Sequence, residues 1–143
     1  MSAPVVMDAS VVIRWALGGE ADELDRAEAL LARYEGRLVA PSLFVTEVLG
    51  RVSGRTKAGG AQRLDKQEAR LAADRIWGLD ISLFPPDPHQ DTAKLLALGR
   101  NLSIPDAAYV LLAERLEGAL YTFDRRLIDG ARKLGLGELA REP

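Results

Sequence analysis

Short apolar runs alternate with longer segments of helical periodicity along almost the whole chain, and this alternation limits the folds open to it. Helices are predicted at about residues 10–17, 20–35, 42–52, 61–77, 89–99, 104–117 and 125–134. Strands are predicted at about residues 4–8, 37–41, 79–85 and 119–123, with an edge strand near 138–140. No tight hairpin signal separates the strands, so we expect an α/β fold in which a mostly parallel sheet has helices on both faces.

Composition restricts the chemistry further. The 143 residues suit one domain spanning 1–143, and the absence of cysteine excludes disulfides, thiolate metal sites and a cysteine nucleophile. It also fits a reducing cytoplasm, and neither a signal peptide nor a membrane span is predicted. The single histidine, His89, rules out a mechanism that needs two imidazoles. The net charge of −2 gives no global attraction to nucleic acid, so a nucleic-acid ligand would need a local basic patch.

One carboxylate lies inside an apolar run. In "VVMDASVVIRW", Asp8 follows three apolar residues and precedes another apolar segment. Burying an unpaired carboxylate costs several kcal/mol, so a charge at this position should have a partner or a function. Asp8 could cap the next helix, but Ser10 is predicted to take that position, which leaves Asp8 without a clear structural task.

Three further acidic residues stand at comparable positions, and each also has a simpler structural explanation. Asp106 completes an S-x-x-D capping box with Ser103, and Asp124 follows a strand directly and could be a helix N-cap. Glutamates are common on exposed helix faces. Glu47, however, falls on the apolar stripe of its predicted helix, where a charged residue is not expected. Ligands of parallel α/β sheets bind beyond the carboxyl ends of the strands, where Asp8 and Asp124 are predicted to lie.

If the four carboxylates converge there, they need a cation. At about 6 Å and an effective dielectric of about 20, each pair repels by roughly 3 kcal/mol. A hard divalent ion with oxygen ligands, Mg²⁺ or Mn²⁺, removes this conflict, whereas zinc is disfavoured because thiolates and clustered imidazoles are missing.

At this point four stretches resemble the motifs of PIN-domain proteins, and most closely the VapC-type toxins of toxin–antitoxin systems. They are "VVMDASVVIRW", "APSLFVTEVLG", "SIPDAAYVLLAERL" and "LYTFDRRL", and the likeness extends from about residue 5 to 134. The resemblance implies a three-layer α/β/α fold and a Mg²⁺- or Mn²⁺-dependent endoribonuclease that leaves 5′-phosphate and 3′-hydroxyl ends. It also implies a homodimer inhibited by a cognate antitoxin.

The resemblance also carries roles onto individual residues. The acidic site would comprise Asp8, Glu47, Asp106 and Asp124, with Ser10 and Thr122 as supporting hydroxyls. We predict Asp8, Asp106 and Asp124 as metal ligands. Glu47 would orient or deprotonate water, or share in ligation.

Basic residues near these motifs are candidate RNA contacts, although each could equally be a solvated helix face. They are Arg14, Arg51, Arg55, Lys57, Arg125 and Arg126. Several fall in or beside "SGRTKAGG", predicted to be a glycine-rich loop at 53–60. On the predicted helix at 61–77, an apolar surface could form a dimer seam or an antitoxin groove; its residues are Leu64, Leu71, Ala72 and Ile76.

Three alternatives remain open at this stage. The chain could be a PIN nuclease of RNA maturation or decay without a toxin role, or a catalytically silent PIN-like binding module. The presence of all four carboxylates counts against the silent module. A phosphotransferase with a nucleophilic aspartate is disfavoured because Ser10 occupies the place where such enzymes usually carry a second aspartate.

Overall fold

The computed structural model describes residues 3–57, 59–60 and 63–143. Within them the chain forms five short strands: β1 (Val5–Met7), β2 (Leu38–Pro41), β3 (Ser82–Phe84), β4 (Leu120–Tyr121) and β5 (Ala140–Arg141). The helices are α1 (Ala9–Leu17), α2 (Ala21–Arg33), α3 (Leu43–Lys57), α4 (Lys66–Trp77), α5 (Pro88–Leu98), α6 (Ile104–Arg115) and α7 (Arg125–Lys133).

All five strands are parallel and lie in the order β3-β2-β1-β4-β5, so the predicted parallel sheet is confirmed. The strand β1 lies at the centre, with Val5 opposite Leu38 on one side and Val6 opposite Leu120 on the other. From β1 the chain builds outward to β2 and β3, and later returns to the opposite side of β1 to add β4 and β5. The carboxyl ends of β1 and β4 therefore form a topological switch point, the usual ligand position in such sheets.

Helices cover both faces of the sheet, which gives the three-layer α/β/α architecture. Helices α1 to α4 pack on one another, while α6 packs on β1, β2 and β4 and is itself covered by α5. Because β1 is enclosed on both sides, its residues are apolar without alternation, and Val6 and Met7 have no exposed surface. The helix α6 is similarly enclosed, which explains its almost continuous run of buried residues from Tyr109 to Ala113.

Two helix boundaries differ from the prediction. The helix α3 continues to Lys57, so the first five residues of the predicted 53–60 loop are helical; Ala58 lies outside the described residues. Although glycines favour a loop, Val52 is still buried, and its contacts with the core hold the helix together beyond it. The helix α4 begins at Lys66 rather than near 61, because Asp65 forms a capping box with Glu68; residues 61–62 are outside the described part.

The predicted apolar surface of this helix is mostly internal. Ile76 is completely buried and Ala72 nearly so, whereas Leu71 is 61% exposed and Leu64 partly buried. Only Leu71 thus offers a large apolar side chain to a partner from that set. None of the described helices is both long enough and apolar enough to cross a membrane.

Candidate active site

Asp8 directly follows β1 and is buried, with 7% of its surface exposed. Its side chain caps α1, since Oδ2 accepts a hydrogen bond from the Ser10 backbone N–H at 3.4 Å, and a shorter one from the Thr122 hydroxyl at 2.8 Å. The prediction that Ser10 caps this helix is wrong. Asp8 is the N-cap, so the helix begins at Ala9 and Ser10 lies within its first turn.

The hydroxyls of Ser10 and Thr122, 3.3 Å apart, join the ends of β1 and β4. The Ser10 hydroxyl accepts the backbone N–H of Phe123 at 3.0 Å, and the Thr122 hydroxyl accepts that of Asp124 at 2.9 Å. Both side chains are buried, so these bonds are shielded from competing water. The two residues predicted as supporting hydroxyls therefore do lie against Asp8 and hold the segment that carries Asp124.

Asp106 lies in the first turn of α6 and Asp124 is the N-cap of α7, as their capping signals predict. Ser103 caps α6 and accepts the backbone N–H of Asp106 at 3.2 Å, while Asp124 caps α7 and accepts that of Arg126 at 2.9 Å. Both carboxylates are only partly buried. Capping therefore explains where they stand in their helices and still leaves their oxygen atoms accessible.

Glu47 is partly buried on α3 and its Oε1 accepts a hydrogen bond of 2.6 Å from the Tyr109 hydroxyl. The helical pattern predicts Glu47 on the buried stripe but gives no role to Tyr109. A signal was available, because Tyr109 follows Asp106 by three residues on a helix and must share its face.

A cavity of about 470 Å³ brings the four carboxylates together at the switch point. Its walls include Asp8, Glu47, Asp106 and Asp124, together with Arg14, Arg51 and Arg125. Residues more than a hundred positions apart in sequence thus share one opening to solvent, while their catalytic and metal-binding roles stay predictions.

The site is electrostatically strained in the way that crowded carboxylates produce. Burial raises the pKa of Glu47, and the charges of Asp8 and Asp106 add to it, against lowering by the Tyr109 hydrogen bond and by Arg51. Burial also raises the pKa of Asp106, with further contributions from Asp8 and Asp124 and an opposing hydrogen bond with Ser103. Both shifts indicate negative charge that the surrounding protein does not fully neutralise.

The donor chemistry of this cavity fits a hard divalent cation, since all four acidic groups offer carboxylate oxygens. In the described part of the chain, however, no group of three or more acidic, histidine or cysteine side chains is arranged to hold a metal ion as it stands. A bound cation would have to draw the carboxylates together. It would offset both causes of the raised pKa values of Glu47 and Asp106, which are burial first and the neighbouring carboxylates second.

The predicted RNA contacts separate into three groups. Arg14, Arg51 and Arg125 line the acidic cavity, and Arg14 and Arg51 also line a neighbouring cavity of about 740 Å³ that includes Arg55. Lys57 and Arg126 are exposed and line neither cavity.

Two of the cavity arginines are held by other side chains. Arg14 donates to Glu23 at 2.8 Å and lies 4.9 Å from the centre of the Phe123 ring, and Arg125 donates to Glu142 at 3.0 Å. Their guanidinium groups are therefore oriented before any ligand arrives, whereas Arg51 forms no ion pair within the described residues.

Comparison with known proteins agrees with this architecture. The PIN domain family matches residues 5–133. Over 126 residues the chain is 32% identical to VapC ribonuclease Mb0985 of Mycobacterium bovis and to ribonuclease VapC9 of Mycobacterium tuberculosis, covering 87% of this chain and 89% of each relative.

Among solved structures, PAE2754 from Pyrobaculum aerophilum has a TM-score of 0.67 at 18% identity, covering 96% of this chain and 89% of the other. At this identity the likeness concerns the fold alone. The family match and the two relatives extend over most of the sequence, and they establish the family as well as the fold. The chain therefore belongs to the PIN-domain family, and within that family it is of the VapC type.

Proposed function

We propose that this protein is an endoribonuclease that hydrolyses RNA phosphodiester bonds with Mg²⁺ or Mn²⁺. The observation that carries the proposal is the convergence of Asp8, Glu47, Asp106 and Asp124 on one cavity at the switch point of the sheet. The relatives named as VapC ribonucleases support the same activity.

In the proposed mechanism Asp8, Asp106 and Asp124 would hold the ion. A divalent cation in such a site lowers the pKa of water and polarises the phosphoryl group. Thr122 and the backbone amide of Ser10 fix the Asp8 carboxylate, so its orientation is set before substrate binds. Glu47 lines the same cavity and would orient or deprotonate the attacking water, or share in ligation.

The cavity arginines suit a polyanionic substrate. Arg14 and Arg51 line both the acidic cavity and its neighbour, which would let successive phosphates bind along one path. Without the four site carboxylates, 17 of the 21 acidic residues remain against 19 lysines and arginines, so the rest of the protein is mildly basic.

We further propose that the protein acts in the cytoplasm as the toxin of a type II toxin–antitoxin system, as a homodimer bound by a cognate antitoxin. The VapC-type membership supports this role over RNA maturation. Induced expression of the chain alone should arrest growth, and co-expression of the antitoxin encoded beside it should restore growth. Unimpaired growth at high expression would favour a maturation or decay enzyme.

The nuclease proposal is tested by comparing two Asp→Asn variants that both cap helices. Asp8 caps α1 inside the cavity, and Asp65 caps α4 outside it, where it accepts the backbone N–H of Glu68 at 2.8 Å. Asparagine caps a helix about as well as aspartate, so both variants should fold. RNA cleavage with Mg²⁺ or Mn²⁺ should be lost in Asp8→Asn and kept in Asp65→Asn. Equal cleavage by Asp8→Asn and wild type would contradict the catalytic assignment.

A further inference from the structure

Tyr109 is the largest side chain in the described residues that is completely buried, yet its hydroxyl is bonded to a group of the candidate active site. That hydroxyl donates to Glu47 Oε1 at 2.6 Å. This distance is shorter than that of a hydrogen bond between neutral groups and is typical of a hydroxyl bonded to a carboxylate. The bond joins α6 to α3 across the wall of the acidic cavity, so it connects two of the elements that carry site carboxylates.

The surroundings of this hydroxyl tie it to three of the four carboxylates. Tyr109 lies one helical turn beyond Asp106 on α6, and its hydroxyl is bonded to Glu47. Burial raises the pKa of Tyr109, and the charges of Asp8 and Glu47 raise it further, so the phenol stays protonated and always has a proton to donate. A phenylalanine would fill the same core volume, and only the hydroxyl reaches the site.

We propose that Tyr109 is a positioning residue that fixes the Glu47 carboxylate toward the acidic cavity. The inference rests on the proposed metal-dependent nuclease activity. A glutamate on a helix has three rotatable side-chain bonds. The charge of Arg51 lowers the pKa of Glu47, but Arg51 forms no ion pair with it in the described residues. The hydrogen bond from Tyr109 is the direct contact that limits the rotation of the Glu47 carboxylate. Once freed, this carboxylate would add less negative potential at the ion and would face the attacking water for less of the time.

The experiment compares Tyr109→Phe with Tyr34→Phe. Tyr34 provides a matched control because its hydroxyl is also bonded to a side chain, the Tyr121 hydroxyl at 3.4 Å, outside the acidic cavity. Mn²⁺ binding is measured by calorimetry without RNA, and cleavage kinetics are measured separately. We expect Tyr109→Phe to weaken Mn²⁺ binding and to lower kcat by about 10-fold or more with little change in KM for RNA, as loss of a partner that orients a ligand typically does. Tyr34→Phe should match wild type in both.

A double-mutant cycle with Glu47→Gln shows whether Tyr109 acts through Glu47. If it does, Tyr109→Phe should have little further effect on Mn²⁺ affinity once Glu47 is replaced, whereas independent effects would multiply. Multiplying effects, or Mn²⁺ binding and cleavage by Tyr109→Phe equal to wild type, would overturn the proposal.

Failure of this inference can be told apart from failure of the proposed function. If wild type itself neither binds Mn²⁺ nor cleaves RNA, the proposed function fails and takes the inference with it. Should Tyr109→Phe not fold, the Tyr109 hydroxyl proton of wild type can be followed by NMR during Mg²⁺ titration. A shift that is absent in Asp8→Asn supports the positioning role, and no shift in wild type overturns it.

Discussion

Asp91 and Asp8 are both withdrawn from water, but their surroundings differ. Asp91 is 2% exposed between α5 and α6, where its carboxylate is paired with Arg115 and accepts the backbone N–H of Asp87 at 2.8 Å. Asp8 is 7% exposed and, among the described residues, receives hydrogen bonds only from a hydroxyl and a backbone amide. No lysine or arginine in the described residues forms an ion pair with Asp8 or with the other three carboxylates of the cavity.

The pKa directions follow this difference. The Arg115 hydrogen bond, helped by the Asp87 amide, lowers the pKa of Asp91, whereas burial and neighbouring carboxylates raise the pKa values of Glu47 and Asp106. A buried carboxylate with its own cation stabilises the packing of two helices. A cluster of carboxylates without such a partner costs stability through burial and repulsion, and binding of a cation would offset that cost.

The largest expected effect is on activity, from removing one charge of the cluster. Asp106→Asn should lower kcat/KM for RNA by about 100-fold or more, since a ligand should matter at least as much as the groups that orient ligands. Asp91→Asn, the same change outside the cluster, should leave the activity of the folded enzyme nearly intact. Cleavage assays at a temperature where both variants are folded check this, and equal losses would erase the contrast between the two regions.

The second effect is on stability, which should depend on Asp91 more than on the carboxylates of the cavity. Asp91→Asn should lower Tm by several degrees because it leaves Arg115 without its carboxylate, whereas Asp74→Asn, in the exposed pair with Arg70, should cost less than about 1 kcal/mol.

The stabilisation by Asp91 should depend on pH with a definite sign. Its folded pKa lies below the unfolded value near 3.8, so the contribution is complete above that value and is lost as pH falls through the folded pKa. Melting curves from pH 7 to pH 2 should therefore show wild type and Asp91→Asn converging in acid. A constant difference across this range would argue against the ion pair as the cause.

A third, smaller effect is the stabilisation that a bound divalent cation should give. Mg²⁺ at about tenfold above its Kd should stabilise wild type by about 1.4 kcal/mol, through binding to the folded state alone. Asp91→Asn should gain as much as wild type, and Asp8→Asn much less. Thermal melts with and without Mg²⁺ measure this, and an equal gain in Asp8→Asn would place the ion elsewhere.

The smallest effect is the contribution of Glu47 to stability when no divalent ion is added. Because the folded pKa of Glu47 is raised, its ionised form disfavours folding once pH rises above the unfolded value near 4.5. Without divalent ions, Glu47→Gln should therefore be neutral or stabilising by up to about 1 kcal/mol at pH 7, a small value because the group is only partly buried. The difference should vanish as pH falls to 4. Clear destabilisation at pH 7 would mean that the Tyr109 bond to the carboxylate outweighs the repulsion.

Much of the architecture could be predicted because local rules and the tertiary fold agree. Val5, Val6 and Met7 are apolar without alternation, which is what a central parallel strand requires, and the Ser103 cap occurs where its motif indicates. The errors fall where two local signals compete. Asp8 and Ser10 are both good caps, and glycines oppose a helix that the burial of Val52 sustains. The apolar stripe of α4 is compatible with either a partner surface or a core face, and Ile76 packs into the core of its own chain.

The order and chemistry of the residues alone determined the parallel α/β fold, the family and the four acidic candidates, because periodicity, capping motifs and carboxylate chemistry are local properties. Only the tertiary structure decided that Asp91 has Arg115 as its counterion while the four carboxylates form no ion pair in the described residues, and that the Tyr109 hydroxyl reaches Glu47 across 62 positions of sequence. Charge compensation depends on distances of a few ångströms between separate elements, and those distances are set by how the helices pack on the sheet.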